Sequence, residues 1–265
     1  MDTPMLHREF LDEVLPHIQQ DPRVAGIAVA GSLAEGRADV YSDVDLVVVI
    51  DDAAYDAVMA DRLVLIGTWS RLVVGFTGEH VGEPRLIITL TGPPLLHVDF
   101  KFVRVSDFVE RTDDPDIVWE RDSGTLKVPS RPPQAAETLD LQWIEDRIWV
   151  WVHYGATKLG RGELFEVIGF LGYLREAVLG PLAARRVGAT PRGVRHLESI
   201  APQESRSLAQ TLCGHDRQEA GRALLAAVEL YRRWFDDSEA PVTRRHDAEA
   251  LAVRYLQDII DQGAV

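Results

Sequence analysis

Hydrophobic residues follow different periods in the two halves of the chain. In the first half, short apolar runs and alternating apolar and polar positions are typical of β-strands, with amphipathic helices between them. The predicted strands are residues 24–30, 44–50, 72–76, 85–90 and 95–103, and the predicted helices are residues 3–20 and 53–63. The second half has helical spacing, and its predicted helices are residues 141–157, 162–184, 203–213, 217–236 and 244–261.

A stretch rich in proline, serine and polar residues, 122–140, lies between the two halves and predicts a linker. We therefore expect an α+β protein in two parts. The first, residues 1–130, has a mixed sheet with flanking helices, and the second, residues 137–265, is an all-helical bundle. The apolar face of such a bundle needs a partner, which the first domain or a second copy of the chain would supply.

Composition narrows the class of protein. A formal net charge of −14 disfavours a nucleic-acid substrate, because phosphate backbones are bound by clustered lysine and arginine. The same charge attracts a cationic small molecule, although acidity also serves solubility alone. No apolar run reaches the length of a membrane span, and the N-terminus has no signal-like pattern. With Cys213 as the one cysteine, we expect a cytoplasmic protein without membrane contact.

The informative polar residues surround the predicted strand 44–50. Asp43 and Asp45 are two residues apart, so strand alternation places both carboxylates on one face. Paired carboxylates repel each other unless a cation neutralises them, and Mg²⁺ is bound by one or two carboxylates together with substrate phosphates. Upstream, Gly31 and Ser32 lie between a strand and a predicted helix start, where free backbone N–H groups favour a phosphate.

A third carboxylate is predicted on the strand 95–103. From Leu96 onward, apolar residues alternate with His97, Asp99 and Lys101, which puts these three on one polar face. Aspartate is depleted in strands, so Asp99 is the candidate third ligand of a site for two metal ions. Its structural alternative is a solvent-facing side chain.

Gly31-Ser32, the pair Asp43 and Asp45, and Asp99 resemble the signature of the DNA polymerase β-type nucleotidyltransferase superfamily. The segment 163–166, Glu-Leu-Phe-Glu, is similar to one in the helical domain of kanamycin-type antibiotic nucleotidyltransferases. The resemblance covers residues 24–182 sparsely.

The resemblance implies transfer of a nucleoside monophosphate, AMP from ATP or from another NTP, to a hydroxyl of a small molecule such as an aminoglycoside-like antibiotic. Asp43 and Asp45 would each bind both of two Mg²⁺ ions, and Asp99 would bind only the catalytic ion of the two. Glu166 would accept the hydroxyl proton, and Glu163 would hold a substrate ammonium group. A homodimer is also implied.

One departure concerns the phosphate-contacting lysine of the antibiotic enzymes, whose position is occupied by Phe170. Lys101, Lys158 and Arg37 are the candidates for its role. Two other functions stay open: a nucleotidyltransferase that modifies a protein, as in toxin–antitoxin pairs, and a non-catalytic nucleotide-binding protein. The presence of all four acidic residues of the proposed site disfavours a non-catalytic protein. The fused helical domain favours a small-molecule acceptor over a protein acceptor.

Overall fold

The computed structural model describes residues 3–108, 114–126, 139–235 and 241–263. It divides into two compact units, Met1–Gln134 and Ala135–Val265. Residues 127–138, which contain most of the predicted linker and both predicted domain boundaries, lie outside the described ranges. A mixed sheet with helices in the first unit and helices throughout the described part of the second confirm the predicted α+β class.

The first unit is built on a sheet of six strands in the order β3-β4-β5-β2-β1-β6. Strands β2 and β5 pair in parallel, and the other neighbouring strands pair antiparallel. Its elements are α1 (Met5–Gln19), β1 (Val24–Ala30), α2 (Gly31–Ala34), β2 (Val44–Ile50), α3 (Tyr55–Trp69), β3 (Leu72–Gly78), a 3₁₀ turn (Glu79–Val81), β4 (Glu83–Thr91), β5 (Leu96–Arg104), α4 (Val105–Phe108) and β6 (Asp116–Glu120).

Strand β5 shows why one face of the sheet is covered and the other carries polar groups. Its residues Leu96, Val98, Phe100 and Phe102 are buried in the core that α1 and α3 share with the sheet. Alternation turns His97, Asp99 and Lys101 to the opposite face, as the sequence predicts. On that face, a smaller cluster is formed by Val47, Val49, Val103, Phe108, Leu126, Ala25 and Ala28.

Strand β6 and the short helix α4 are absent from the sequence-based prediction. The β6 segment has five residues and acidic side chains at both ends, so its pattern is too short to indicate a strand. Its pairing with β1 and a hydrogen bond from the Arg121 N–H to the Ala25 carbonyl hold it at the sheet edge. The tertiary pairing, and not local preference, forms this strand.

The second unit is described as a set of helices around one core. They are α5 (Leu141–Gly160), α6 (Leu164–Leu174), a π-helical turn (Arg175–Leu179), α7 (Gly180–Arg186), α8 (Leu197–Ile200), α9 (Pro202–Leu208), a 3₁₀ turn (Ala209–Thr211), α10 (Arg217–Trp234) and α11 (His246–Asp261). The continuous helical stretch Leu164–Arg186 has the length and apolar composition of a membrane span, but 61% of its apolar 18-residue window is buried in the protein. A buried core helix has the same composition, so this is weak evidence for a membrane segment.

Candidate active site

Three carboxylates converge on the polar face of the first unit. Asp43 precedes β2, Asp45 lies on β2, and Asp99 lies opposite Asp45 in the parallel β2–β5 register. Each offers a carboxylate oxygen that lies within 4.8 Å of those of the other two, and all three side chains are partly buried. Hard divalent cations take oxygen ligands of this kind, so the donor set fits Mg²⁺.

Burial dominates the electrostatics of the Asp99 carboxylate. Burial raises the pKa of Asp99, the neighbouring His97 opposes this rise, and the negative charge of Asp43 adds to it. His97 Nε2 lies 2.9 Å from Asp99 Oδ1. The ionised carboxylate is therefore disfavoured in the protein alone, and a bound cation would relieve that cost.

The glycine-serine pair lies directly against this carboxylate cluster. Gly31 has a φ of +63°, and a Cβ at this position would overlap with the Asp45 carboxylate. The close approach of Asp45 to the backbone therefore requires glycine. The Ser32 hydroxyl oxygen is buried and has no hydrogen-bond partner among the described residues. Because buried hydroxyls are normally paired, this group is suited to a ligand that arrives at the site.

A cleft of about 760 Å³ extends from the carboxylates along the same face of the sheet. Lys101 lines it two residues beyond Asp99 and contacts Glu83 of β4 at 3.0 Å. Arg85 also lines the cleft, and its guanidinium donates two hydrogen bonds of 2.8 Å to the same carboxylate. These hydrogen bonds, chiefly from Arg85, lower the pKa of Glu83 to about 2. The cleft therefore has two basic side chains, Lys101 and Arg85, which Glu83 holds in place near the carboxylates of Asp45 and Asp99.

The remaining basic candidate of this unit lies elsewhere. Arg37 is exposed, does not line the cleft, and forms an ion pair with Glu35. Arg85 and Glu83 are absent from the predicted site, since their approach to Lys101 depends on the β4–β5 register, which pairs Leu86 with Lys101. The sequence offers one indication: Glu83 and Arg85 are two positions apart directly before the apolar residues 86–88, so in a strand they lie on one face.

The predicted residues of the second unit form a group of their own on α5 and α6. Tyr154 donates a hydrogen bond of 2.8 Å to Glu166, which raises the pKa of the tyrosine. Lys158 contacts Glu163 at 2.5 Å, which lowers the pKa of Glu163 and raises that of Lys158. Glu166 is solvent-exposed, and so is the neighbouring Phe165. The carboxylate of Glu166 is therefore accessible and accepts a hydrogen bond from a hydroxyl group.

The family model described as "Nucleotidyltransferase domain" matches residues 10–113, which include the three aspartates and Gly31-Ser32. A search of curated proteins returned no match.

Among solved structures, the chain is similar to an aminoglycoside 6-adenyltransferase from Bacillus subtilis, with 13% identity and a TM-score of 0.39, covering 98% of this chain and 99% of that one. It is also similar to a nucleotidyltransferase-like protein from Exiguobacterium sibiricum 255-15, with 14% identity and a TM-score of 0.36, covering 97% of this chain and 80% of that one.

Proposed function

We propose that this protein, a nucleotidyltransferase by the family model that matches residues 10–113, transfers AMP from Mg-ATP to a hydroxyl of a cationic small molecule. The observation that carries the proposal is the convergence of Asp43, Asp45 and Asp99 beside the Gly31 backbone. A lone pair of aspartates serves many structural purposes, whereas three partly buried carboxylates in mutual reach are costly without a cation.

Within the first unit, each group has a role that its position supports. The three aspartates would hold the magnesium ions, which when bound polarise the phosphate oxygens and neutralise charge. The Ser32 hydroxyl, buried and unpaired among the described residues, would donate to a phosphate oxygen. Lys101 and Arg85, oriented by Glu83, would hold a further part of the nucleotide in the cleft and fix its pose for in-line attack.

The acceptor side of the proposal rests on Glu166 and on charge. Resemblance of the segment 163–166 to the antibiotic enzymes supports Glu166 as the base that accepts the hydroxyl proton. A net charge of −14 supports a cationic acceptor such as an amino sugar. From the single cysteine we propose a cytoplasmic location, and from the family resemblance a homodimer; cell fractionation and sedimentation velocity would test the two.

The test is mass spectrometry of reactions containing the full chain, Mg-ATP and either a panel of aminoglycosides or a cell lysate. A mass increase of one AMP on a small molecule supports the proposal, and pyrophosphate should appear in equal amount. AMP on a protein would instead support a protein-modifying enzyme. Transfer by D43N at the wild-type rate would contradict the metal assignment, while absence of any transfer by the wild type would contradict the acceptor class.

A further inference from the structure

We propose that His7 is a positioning residue for the metal site, because its ring N–H holds the backbone immediately before Asp43. The inference rests on the proposed function in one respect, the assignment of Asp43 as a metal ligand. It adds a residue of helix α1, distant in sequence, to the machinery of the site.

The contact is well defined in the structure. His7 is fully buried, and its Nε2 lies 2.7 Å from the carbonyl oxygen of Ser42. A carbonyl oxygen accepts only, so Nε2 carries the hydrogen in this bond. The other ring nitrogen, Nδ1, is buried without a hydrogen-bond partner among the described residues.

Packing alone does not account for histidine at this position. His7 continues the buried stripe of α1 that includes Val14 and Ile18. An apolar side chain would suit such a stripe, and burying an unpaired Nδ1 costs free energy. The hydrogen bond to Ser42 is the interaction that an apolar residue would lack.

The bond acts on Asp43 through the peptide plane. The carbonyl of Ser42 and the amide nitrogen of Asp43 belong to one planar peptide unit, so fixing the carbonyl fixes the plane from which the Asp43 side chain departs. The preceding turn is held internally, since Asp39 accepts a hydrogen bond of 2.8 Å from the Tyr41 N–H and donates its own N–H to the Ser42 hydroxyl at 3.0 Å. His7 ties the end of this turn to α1.

The experiment measures binding of Mn²⁺ alone to the full chain by electron paramagnetic resonance titration, with the thermal unfolding temperature of each variant. H7L removes the N–H, and H7Q restores an amide N–H on a side chain of similar reach. The matched control is H17L, the same substitution at an exposed histidine of the same helix. We expect H7L to weaken Mn²⁺ binding roughly three- to tenfold, the range for loss of one hydrogen bond, and H7Q to recover most of it.

The outcomes separate this inference from the proposed function. Unchanged Mn²⁺ affinity in a folded H7L, with D43N strongly impaired, would overturn the role of His7 and leave the metal site standing. Equal weakening in H7L and H7Q would also overturn it, since a packing role would not distinguish the two by their N–H group. A wild type that binds no Mn²⁺ would overturn the metal assignment itself.

Discussion

The carboxylate of Asp45 occupies the space in which a side chain at Gly31 would have to lie. Gly31 and Gly36 have nearly equal φ values, +63° and +65°, but nothing among the described residues lies within 4 Å of a Cβ built at Gly36. Gly31 begins α2 and Gly36 follows its end, so substitutions at the two positions separate the effect of backbone strain from that of a collision with the Asp45 carboxylate.

We expect G31A and G36A to lose a similar free energy of unfolding, roughly 1–2 kcal/mol, because both force alanine into the left-handed region. G31A should in addition displace the Asp45 carboxylate and reduce the transfer rate about a hundredfold, the cost of a small misplacement in an active site. Denaturant unfolding and steady-state rates measure the two effects. Equal transfer rates for G31A and G36A would show that the Asp45 carboxylate can move away from a Cβ at position 31 without loss of activity.

The burial of the Asp99 carboxylate, together with the neighbouring charge of Asp43, predicts opposite effects of D99N with and without metal. In the metal-free protein, D99N removes a partly buried charge beside Asp43 and should raise stability by about 1 kcal/mol, a few degrees in unfolding temperature. Mg²⁺ should raise the unfolding temperature of the wild type and leave that of D99N nearly unchanged. Calorimetry with EDTA and with excess Mg²⁺ checks both statements. Stabilisation of D99N by Mg²⁺ to the wild-type extent would mean that the ion binds elsewhere.

Lys101 is expected to contribute most to nucleotide binding among the three basic residues that the sequence offers for this role. It lines the cleft, whereas Arg37 is exposed and paired with Glu35. We expect K101M to raise the Kd for ATP about ten- to a hundredfold, the range for lost hydrogen bonds to a charged group, and R37M to change it little. Fluorescence titration with a nucleotide analogue measures both. A larger increase of the Kd in R37M than in K101M would indicate that the phosphates bind at the loop that follows α2.

Glu166 and Glu163 lie three residues apart, and their partners distinguish them. Glu166 accepts from a tyrosine hydroxyl, whereas Glu163 contacts the Lys158 ammonium group. As a general base, Glu166 should be required for turnover, so E166Q should reduce kcat about 10²–10⁴-fold without changing the Kd for ATP. E163Q, at the N-cap of the same helix, is the control, and its expected effect is confined to the KM for a cationic acceptor. An E166Q enzyme with normal kcat would remove Glu166 from the mechanism.

How far the sequence predicts the site depends on how local each signal is. The bounds of β1 and β2 agree with the predicted strands, since short apolar runs of this length indicate buried strands. The face on which Asp99 and Lys101 lie also follows from alternation alone. By contrast, the approach of Glu83 and Arg85 to Lys101 requires the strand register, and the bond from His7 to Ser42 joins residues 35 positions apart. The alternation of Glu83 and Arg85 indicates only that the two share a strand face, and neither long-range approach leaves a signal of its own in the sequence.

The buried Glu145 predicts a pH-dependent stability of the helical unit. Its side chain is inaccessible to solvent and pairs with Arg244. The carboxylate also accepts hydrogen bonds from Tyr231 at 2.5 Å, from the Arg245 backbone N–H at 2.7 Å and from Trp149 at 3.1 Å. Burial by itself raises the pKa of Glu145, but the hydrogen bonds and the arginine outweigh it and lower the pKa. The ionised carboxylate therefore stabilises the folded unit.

Because the folded-state pKa lies below the ordinary glutamate value, this stabilisation is complete above that value and is lost as the pH falls towards the folded-state pKa. E145Q should cost roughly 3 kcal/mol of unfolding free energy at neutral pH, because it removes the buried charge that accepts three hydrogen bonds and pairs with Arg244, and much less in acid. E229Q, at an exposed glutamate of α10, is the matched control and should behave as the wild type throughout. Denaturant unfolding between pH 3 and pH 7 measures the difference in unfolding free energy between E145Q and the wild type. A difference that does not change with pH would show that Glu145 stabilises the unit through packing and not through its charge.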